Sequence, residues 1–286
     1  MDGTIGAVSV DPFALGFAGN HRDRHPGDDG NYLRSLNSSP EPVLEDRMHY
    51  ISILSTIMTF IFAAAVFNRY RYKKGNHLLM WGIGLIFYGL GTLTEVLLSF
   101  SFSGWALKIW YLSGAMLTAA WLGQGTIFLL IRKRGVAQTL AIILGLVSIG
   151  AFILIMVAPI TAAAADFVTS QPVSAQYQQI LERSGLITLL TILLNIYGTI
   201  ALVGGAIYSA YLFWRKKVLI NRVLGNILIA AGALMPAMAG SFIKAGLVDW
   251  LYVSEFLGVL LMYAGFLQAT ATKPVEQKKP LTTIAN

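Results

Sequence analysis

The chain has 286 residues, 56% of them hydrophobic and only 12% charged, with a mean hydropathy of +0.64. A soluble domain carries about 25% charged residues, so this composition excludes an ordinary soluble protein and describes a surface facing lipid. The net charge of +7 does not point to nucleic acid, because the lysines and arginines gather at the ends of apolar segments, where they set topology and meet anionic headgroups.

Residues 1–47 are polar and rich in Asp, Gly, Pro and Ser. No apolar run follows a basic start, so the segment is not a secretory signal and reads as a disordered extracytoplasmic tail. The first apolar run begins directly after Met48, which makes a natural start at that methionine one expectation. The apolar runs predict spanning helices at about 49–69, 77–100, 105–131, 136–159, 185–213, 223–247 and 250–271, each near the roughly 20 residues a crossing needs. Basic clusters sit at every second connection. They are Arg69, Arg71, Lys73 and Lys74; Arg132, Lys133 and Arg134; Arg215, Lys216, Lys217 and Arg222; and Lys273, Lys278 and Lys279. The opposite connections hold Lys108, Arg183 and Lys244 with Asp166, Glu182 and Asp249.

Positive charge concentrates on the cytoplasmic side of membrane proteins. The expected fold class is therefore an all-α membrane protein, a seven-transmembrane-helix bundle over residues 48–271, with the N-terminus outside and the C-terminus cytoplasmic. Residues 272–286 form a short basic cytoplasmic tail. Trp105, Trp110 and Trp250 mark the outer interface and Trp81 and Trp214 the inner one, as aromatic anchors. Helices 1–3 and 5–7 share direction and some matching residues, among them Trp110-Tyr111-Leu112-Ser113 and Trp250-Leu251-Tyr252-Val253-Ser254. That pattern makes a parallel 3+1+3 repeat a candidate.

Gly84 with Gly91, Ala119 with Gly123, Ala201 with Gly205, and Gly232 with Pro236 and Gly240 fall on single helix faces. Small residues let helices approach closely in lipid, and this is their expected role. Pro236, mid-helix, removes a backbone hydrogen bond and is a hinge candidate.

Ionisable groups inside a membrane are costly and point to function. Glu95, Glu255 and Lys244 all fall roughly 5–8 Å from the outer interface by the helical rise. Tyr88 lies two turns from Glu95 on the same face, so its hydroxyl extends a polar path inward. Two readings stand side by side: a structural ion pair that pins helices two, six and seven, and a ligand site. Deeper polar residues are Gln124, Asn195, Tyr197 and Tyr263, for which interhelical hydrogen bonding is the ordinary role; Gln124 and Asn195 are further ligand-binding candidates.

No cofactor or metal is expected. The chain has no cysteine, which rules out disulfides, thiolate metal sites, iron–sulfur clusters and covalently attached haem. His49 and His77 sit at opposite edges, roughly 30 Å apart, too far to share a haem or an ion. His21 and His25 lie in the polar tail. The last helix has no lysine for a retinal Schiff base. Phosphate loops, HExxH and nucleophile elbows are missing as well, so catalysis is not expected.

The stretches Trp81-Gly82-Ile83-Gly84, Trp121-Leu122-Gly123-Gln124-Gly125 and Leu251-Tyr252-Val253-Ser254-Glu255 resemble those of uncharacterised prokaryotic seven-helix integral membrane proteins, a family without a known activity. The resemblance implies a prokaryotic plasma membrane location and transfers no site. The topology is also similar to that of opsins and sugar-transporting seven-helix proteins, at the level of fold alone. The functional expectation is a transporter or ligand sensor for a small solute or lipid, with an outer-half polar pocket. The alternative is a non-catalytic structural or assembly subunit of a larger membrane complex. Expected partners are the lipid bilayer, anionic lipids at the basic loops, a small-molecule ligand and a membrane-protein partner, with no nucleic acid.

Overall fold

In hydrocarbon no water is present to satisfy backbone N–H and C=O groups, so an apolar chain crossing it must pair them internally, as a helix does. A computed structural model of the chain describes residues 42–131, 133, 135–215, 220–244 and 249–271, with side chains described except at 42–49, 220, 237, 239–244 and 249. The polar tail before residue 42, the basic tail after 271 and parts of two basic clusters lie outside these residues. Eight α-helices account for most of the described chain: α1 Pro42–Lys73, α2 Asn76–Phe100, α3 Gly104–Leu130, α4 Val136–Val157, α5 Val173–Ile180, α6 Gly185–Arg215, α7 Ile220–Lys244 and α8 Asp249–Thr270. Six segments are long and apolar enough to cross a membrane: Tyr50–Lys73 of α1, the whole of α2, α3, α4 and α6, and Trp250–Thr270 of α8. The protein is a multi-pass helical membrane protein by this architecture.

Helix boundaries follow local chemistry. Ser103 Oγ accepts from the Ala106 N–H at 3.4 Å and Ser184 Oγ from the Ile187 N–H at 3.3 Å, capping α3 and α6. Gly135 precedes α4 with φ +88°, a conformation that favours a residue without Cβ. One expectation needs correction: the chain is already helical at Pro42, within the segment read as a disordered tail.

Six helices close a ring in the order α1, α2, α3, α6, α7, α8, with α8 packed back on α1. α4 stands outside the ring against α3 and α6. Its apolar outer face, with Ile142, Leu146, Ile149, Phe152 and Ile153, is exposed. Three side-chain bonds fasten α4 along its length. Gln124 Nε2 donates to the Ala137 carbonyl at 2.8 Å, Trp121 Nε1 to Ser148 Oγ at 3.1 Å, and Lys108 Nζ to the Met156 carbonyl at 2.8 Å. The last bond places a cation on an orphan carbonyl at a helix C-terminus, its favoured position.

Within the ring, glycine sets the spacing. A Cβ on Gly198 of α6 would lie 2.2 Å from the Ala119 carbonyl carbon of α3. On α7 and α8, a Cβ at Gly232 would stand 2.6 Å from the Gly258 carbonyl oxygen, and one at Gly225 2.7 Å from that of Gly265. Helices this close are held by dispersion over backbone surfaces, which replaces the hydrophobic drive that lipid removes.

Two ring helices carry a widened turn. Residues Tyr111–Leu117 of α3 and Ile200–Gly204 of α6 are π-helical. The Thr118 N–H reaches back five residues to the Ser113 carbonyl. Such turns loosen the i→i−4 ladder and recur at functional sites. The two aromatic anchors expected at Trp110 and Trp81 are corrected here. Trp110 is 8% exposed, against 69% for Trp105, because α3 begins at Gly104 and puts Trp110 beyond its first turn, facing inward. Trp81 is partly buried; its indole donates to Thr126 Oγ1 at 3.4 Å and packs near Phe266. Trp110 is therefore not the structural counterpart of the exposed Trp250 at the start of α8, so this match of the candidate repeat does not hold.

The close approach makes a direct prediction. Gly198→Ala should lower the melting temperature and folded yield, since a backbone group stands where the methyl must go and overpacking costs about 1–3 kcal/mol or more. Gly145→Ala on α4, with nothing within 4 Å of the new Cβ, should stay within about 1 kcal/mol of the parent or gain slightly. Equal effects of the two in a detergent thermal-shift series would rule out glycine packing as the basis of the ring.

Candidate functional site

The two widened turns face the interior of the ring, and beside them a cavity of about 560 Å³ opens. Its walls come from five ring helices. Tyr88, Gly91, Thr92 and Glu95 stand on α2; Trp110, Gly114, Ala115 and Thr118 on α3; Asn195, Gly198 and Thr199 on α6; Ala233 and Pro236 on α7; Leu251, Glu255 and Met262 on α8. The cavity exists where glycine and alanine leave room and where the α3 and α6 backbones bulge. A π turn shifts backbone bonds to the i→i−5 pattern, and side chains add donors to its carbonyls here. Asn195 Nδ2 donates to the Ala115 carbonyl at 2.7 Å and the Thr118 hydroxyl to that of Ser113 at 2.8 Å.

One end of the cavity is roofed by the connection between α4 and α6. Helix α5 contributes Ser174, Tyr177, Gln178 and Gln179 to the lining. It is a firmly seated cap rather than a loose loop. Val173, Ile180 and Leu181 are buried in one apolar cluster with Leu98, Leu107 and Trp110. At its base the Thr161 N–H donates to the Ile180 carbonyl at 2.9 Å, and the Glu182 N–H to the Pro159 carbonyl at 3.1 Å. The Gln176 side chain bonds both the N–H and the carbonyl of Val168 at 2.9 Å, closing the loop on itself.

Beneath this cap sit the two carboxylic acids. Glu95 is 5% exposed and lines the cavity together with Trp110, yet its Oε1 is buried with no partner. Ser174 Oγ, on the cap, is also buried without one. A buried polar atom left unpaired costs about 1–3 kcal/mol, more if charged, so two in one cavity are a sign of something to be bound. Glu255 lines the same cavity as Glu95 and Tyr88. The Tyr88 hydroxyl donates to the Glu255 backbone carbonyl at 3.2 Å, joining α2 to α8. Among the described residues no group of three or more metal-ligating side chains exists.

Compared with known protein families, curated proteins and solved structures, the chain matches none. Function must be read from the site itself.

Of the sequence candidates, the structure brings Glu95, Glu255, Tyr88, Asn195 and the hinge candidate Pro236 to one cavity. Lys244 closes α7, and its side chain lies outside the described residues. Gln124 stands apart: it is fully buried, donates to Ala137 and accepts from the Tyr197 hydroxyl, so both ends of its amide hold α3 against α4 and α6. Sequence reasoning passes over Trp110, Ser174, Tyr177 and Gln178. The signal for the cap is weak but present, since Val173, Tyr177 and Ile180 fall at i, i+4 and i+7, the stripe of a short amphipathic helix.

The Gln124 assignment is testable by a double-mutant cycle. Gln124→Leu and Tyr197→Phe should each lower stability by about 1 kcal/mol or less. Combining them should cost less than the sum, because the bond is lost once. Fully additive losses in denaturation of the detergent-solubilised protein would show that the two side chains act separately.

Proposed function

We propose that this protein is a seven-crossing membrane protein that admits a small organic solute into the cavity beneath α5, acting as a transporter or a ligand sensor and not as a catalyst. The observation that carries the proposal is the unpartnered Oε1 of Glu95, which lines a cavity of about 560 Å³, a volume within the roughly 300–1,000 Å³ of small-molecule sites. The seventh crossing is α7. Its 25 residues give a length of about 37 Å at the helical rise, more than the roughly 30 Å hydrocarbon core. It also packs lengthwise on α8 and completes the ring. Basic clusters at the ends opposite α5 support an orientation with α5 outside and the C-terminus in the cytoplasm of a plasma membrane. Pro236 lines the cavity wall within α7, at a point where the helix lacks one backbone bond, and it serves as the flexing point when the cavity opens.

Orientation can be read cleanly because the chain has no cysteine. A single Ala165→Cys, in the exposed outer connection, should react with a membrane-impermeant maleimide on intact cells. Tyr72→Cys, 80% exposed at the other end, should react only after the cells are opened. The reverse pattern would refute the orientation.

For function, the test is a panel of cationic, neutral and anionic organic solutes with protein in liposomes. Uptake or saturable binding that disappears in Ala115→Phe, a cavity-filling change, is the expected result. Flux marks a transporter, and binding without flux a sensor. A folded protein that neither binds nor moves any solute, and that purifies with fixed partner subunits, would favour the assembly role and overturn this reading.

A further inference from the structure

The α5 end of the cavity is selective in its chemistry, and the following inference rests on the solute-binding role. Glu95 and Glu255 both line this space. Glu95 is 5% exposed and presents an unpartnered Oε1. No lysine, arginine or histidine is among the described residues lining the space. Arg183 approaches the rim, its guanidinium carbon 5.0 Å from the centroid of the Tyr177 ring. It is only partly buried, so solvent screens it more than it screens the carboxyls inside.

A carboxyl out of water either takes up a proton or has its charge compensated, and a ligand that brings a positive charge supplies that compensation. The nature of that compensator follows from ligand count and volume. A metal ion of the calcium or magnesium type takes about six or more oxygen ligands, and the described side chains offer no such set. A cavity of about 560 Å³ would also be left mostly empty by a bare ion. The walls suit an organic cation. Trp110 and Tyr177 line the carboxyl end, and aromatic faces attract ammonium groups through their negative quadrupole. Away from the cap, Leu122, Leu202 and Met262 are shared with a second, apolar-walled cleft that includes Phe62 and Phe266.

We infer that the cavity binds an organic ammonium cation bearing an apolar group. Glu95 and Glu255 are its counter-charges, Trp110 and Tyr177 flank its head, and its apolar group lies toward Leu122 and Met262.

The experiment titrates the full-length protein in detergent with three probes of one shape: 2-phenylethylammonium, neutral 2-phenylethanol and anionic phenylacetate. The ammonium should bind saturably, one per chain, at least tenfold more tightly than the alcohol, and phenylacetate should not bind. Glu95→Gln and Glu255→Gln should each weaken ammonium binding at least tenfold. Ala115→Phe, which keeps both carboxyls but fills the space, should abolish it; this variant and Glu255→Gln carry the test should Glu95→Gln not fold. Equal affinity for the alcohol, preference for phenylacetate, or undiminished binding in the variants overturns the inference. So does ammonium binding seen only in Lys244→Gln, which would make the chain's own ammonium the occupant. If other solutes of the wider panel bind but the ammonium does not, this inference alone falls. If none binds to folded protein, the solute-site reading falls with it.

Discussion

A helix in hydrocarbon has no water to rescue a broken hydrogen bond, and the structure depends on how it meets that constraint at the π turns of α3 and α6. Each widened turn shifts backbone bonds from the carbonyl four residues back to the one five residues back. Asn195 and Thr118 supply donors on the α3 side. The α3 bulge stands beside Thr191 and Asn195 of α6, and Gly198 brings the two helices together between the two bulges. The cavity is the space that these bulges and the small side chains around them cannot fill. Its existence is thus a consequence of backbone hydrogen bonding as much as of side-chain size.

The remaining polar inventory divides in two. Most buried hydroxyls are bonded to a carbonyl one turn back on their own helix: Thr56 to Ser52, Thr59 to Ser55, Thr92 to Tyr88 and Thr94 to Leu90. Such groups satisfy themselves, which makes them inexpensive to carry through a membrane. Glu95 has no such local option for its Oε1, and Ser174 leaves its hydroxyl unpaired. Ser55 Oγ on α1 is a further buried hydroxyl without a partner, away from the cavity, so what marks the cavity is an unpaired carboxyl oxygen and an unpaired hydroxyl lining one space.

Much of the architecture is legible in the sequence because the signals are long. Val136–Val157 is an almost unbroken apolar run, and its predicted start coincides with the helix. Depth along a helix also reads well, so Glu95, Tyr88, Asn195 and Glu255 reach one cavity. Facing does not. Trp110 reads as an interfacial anchor by its distance from the charged loops, yet its azimuth on α3 turns it inward; Gln124 reads as an interhelical hydrogen-bonding residue and a further ligand candidate, and its amide is taken up by Ala137 and Tyr197. Partnerships such as Gly225 with Gly265 join residues far apart in the chain, and nothing local marks them. Pi turns leave no compositional trace in either helix, and the cap is too short to stand out from a polar connection.

The three bonds that fasten α4 carry a consequence of their own. A smooth, lipid-clad cylinder of isoleucine and leucine has little to stop it sliding along its axis or rolling against its neighbours. Bonds at Ala137, Ser148 and Met156 mark its beginning, middle and end, so both translation and rotation are indexed. The donors all belong to α3, one of the two helices with a widened turn. Lys108 precedes that turn and Trp121 and Gln124 follow it, so the register of α4 is tied to both halves of α3.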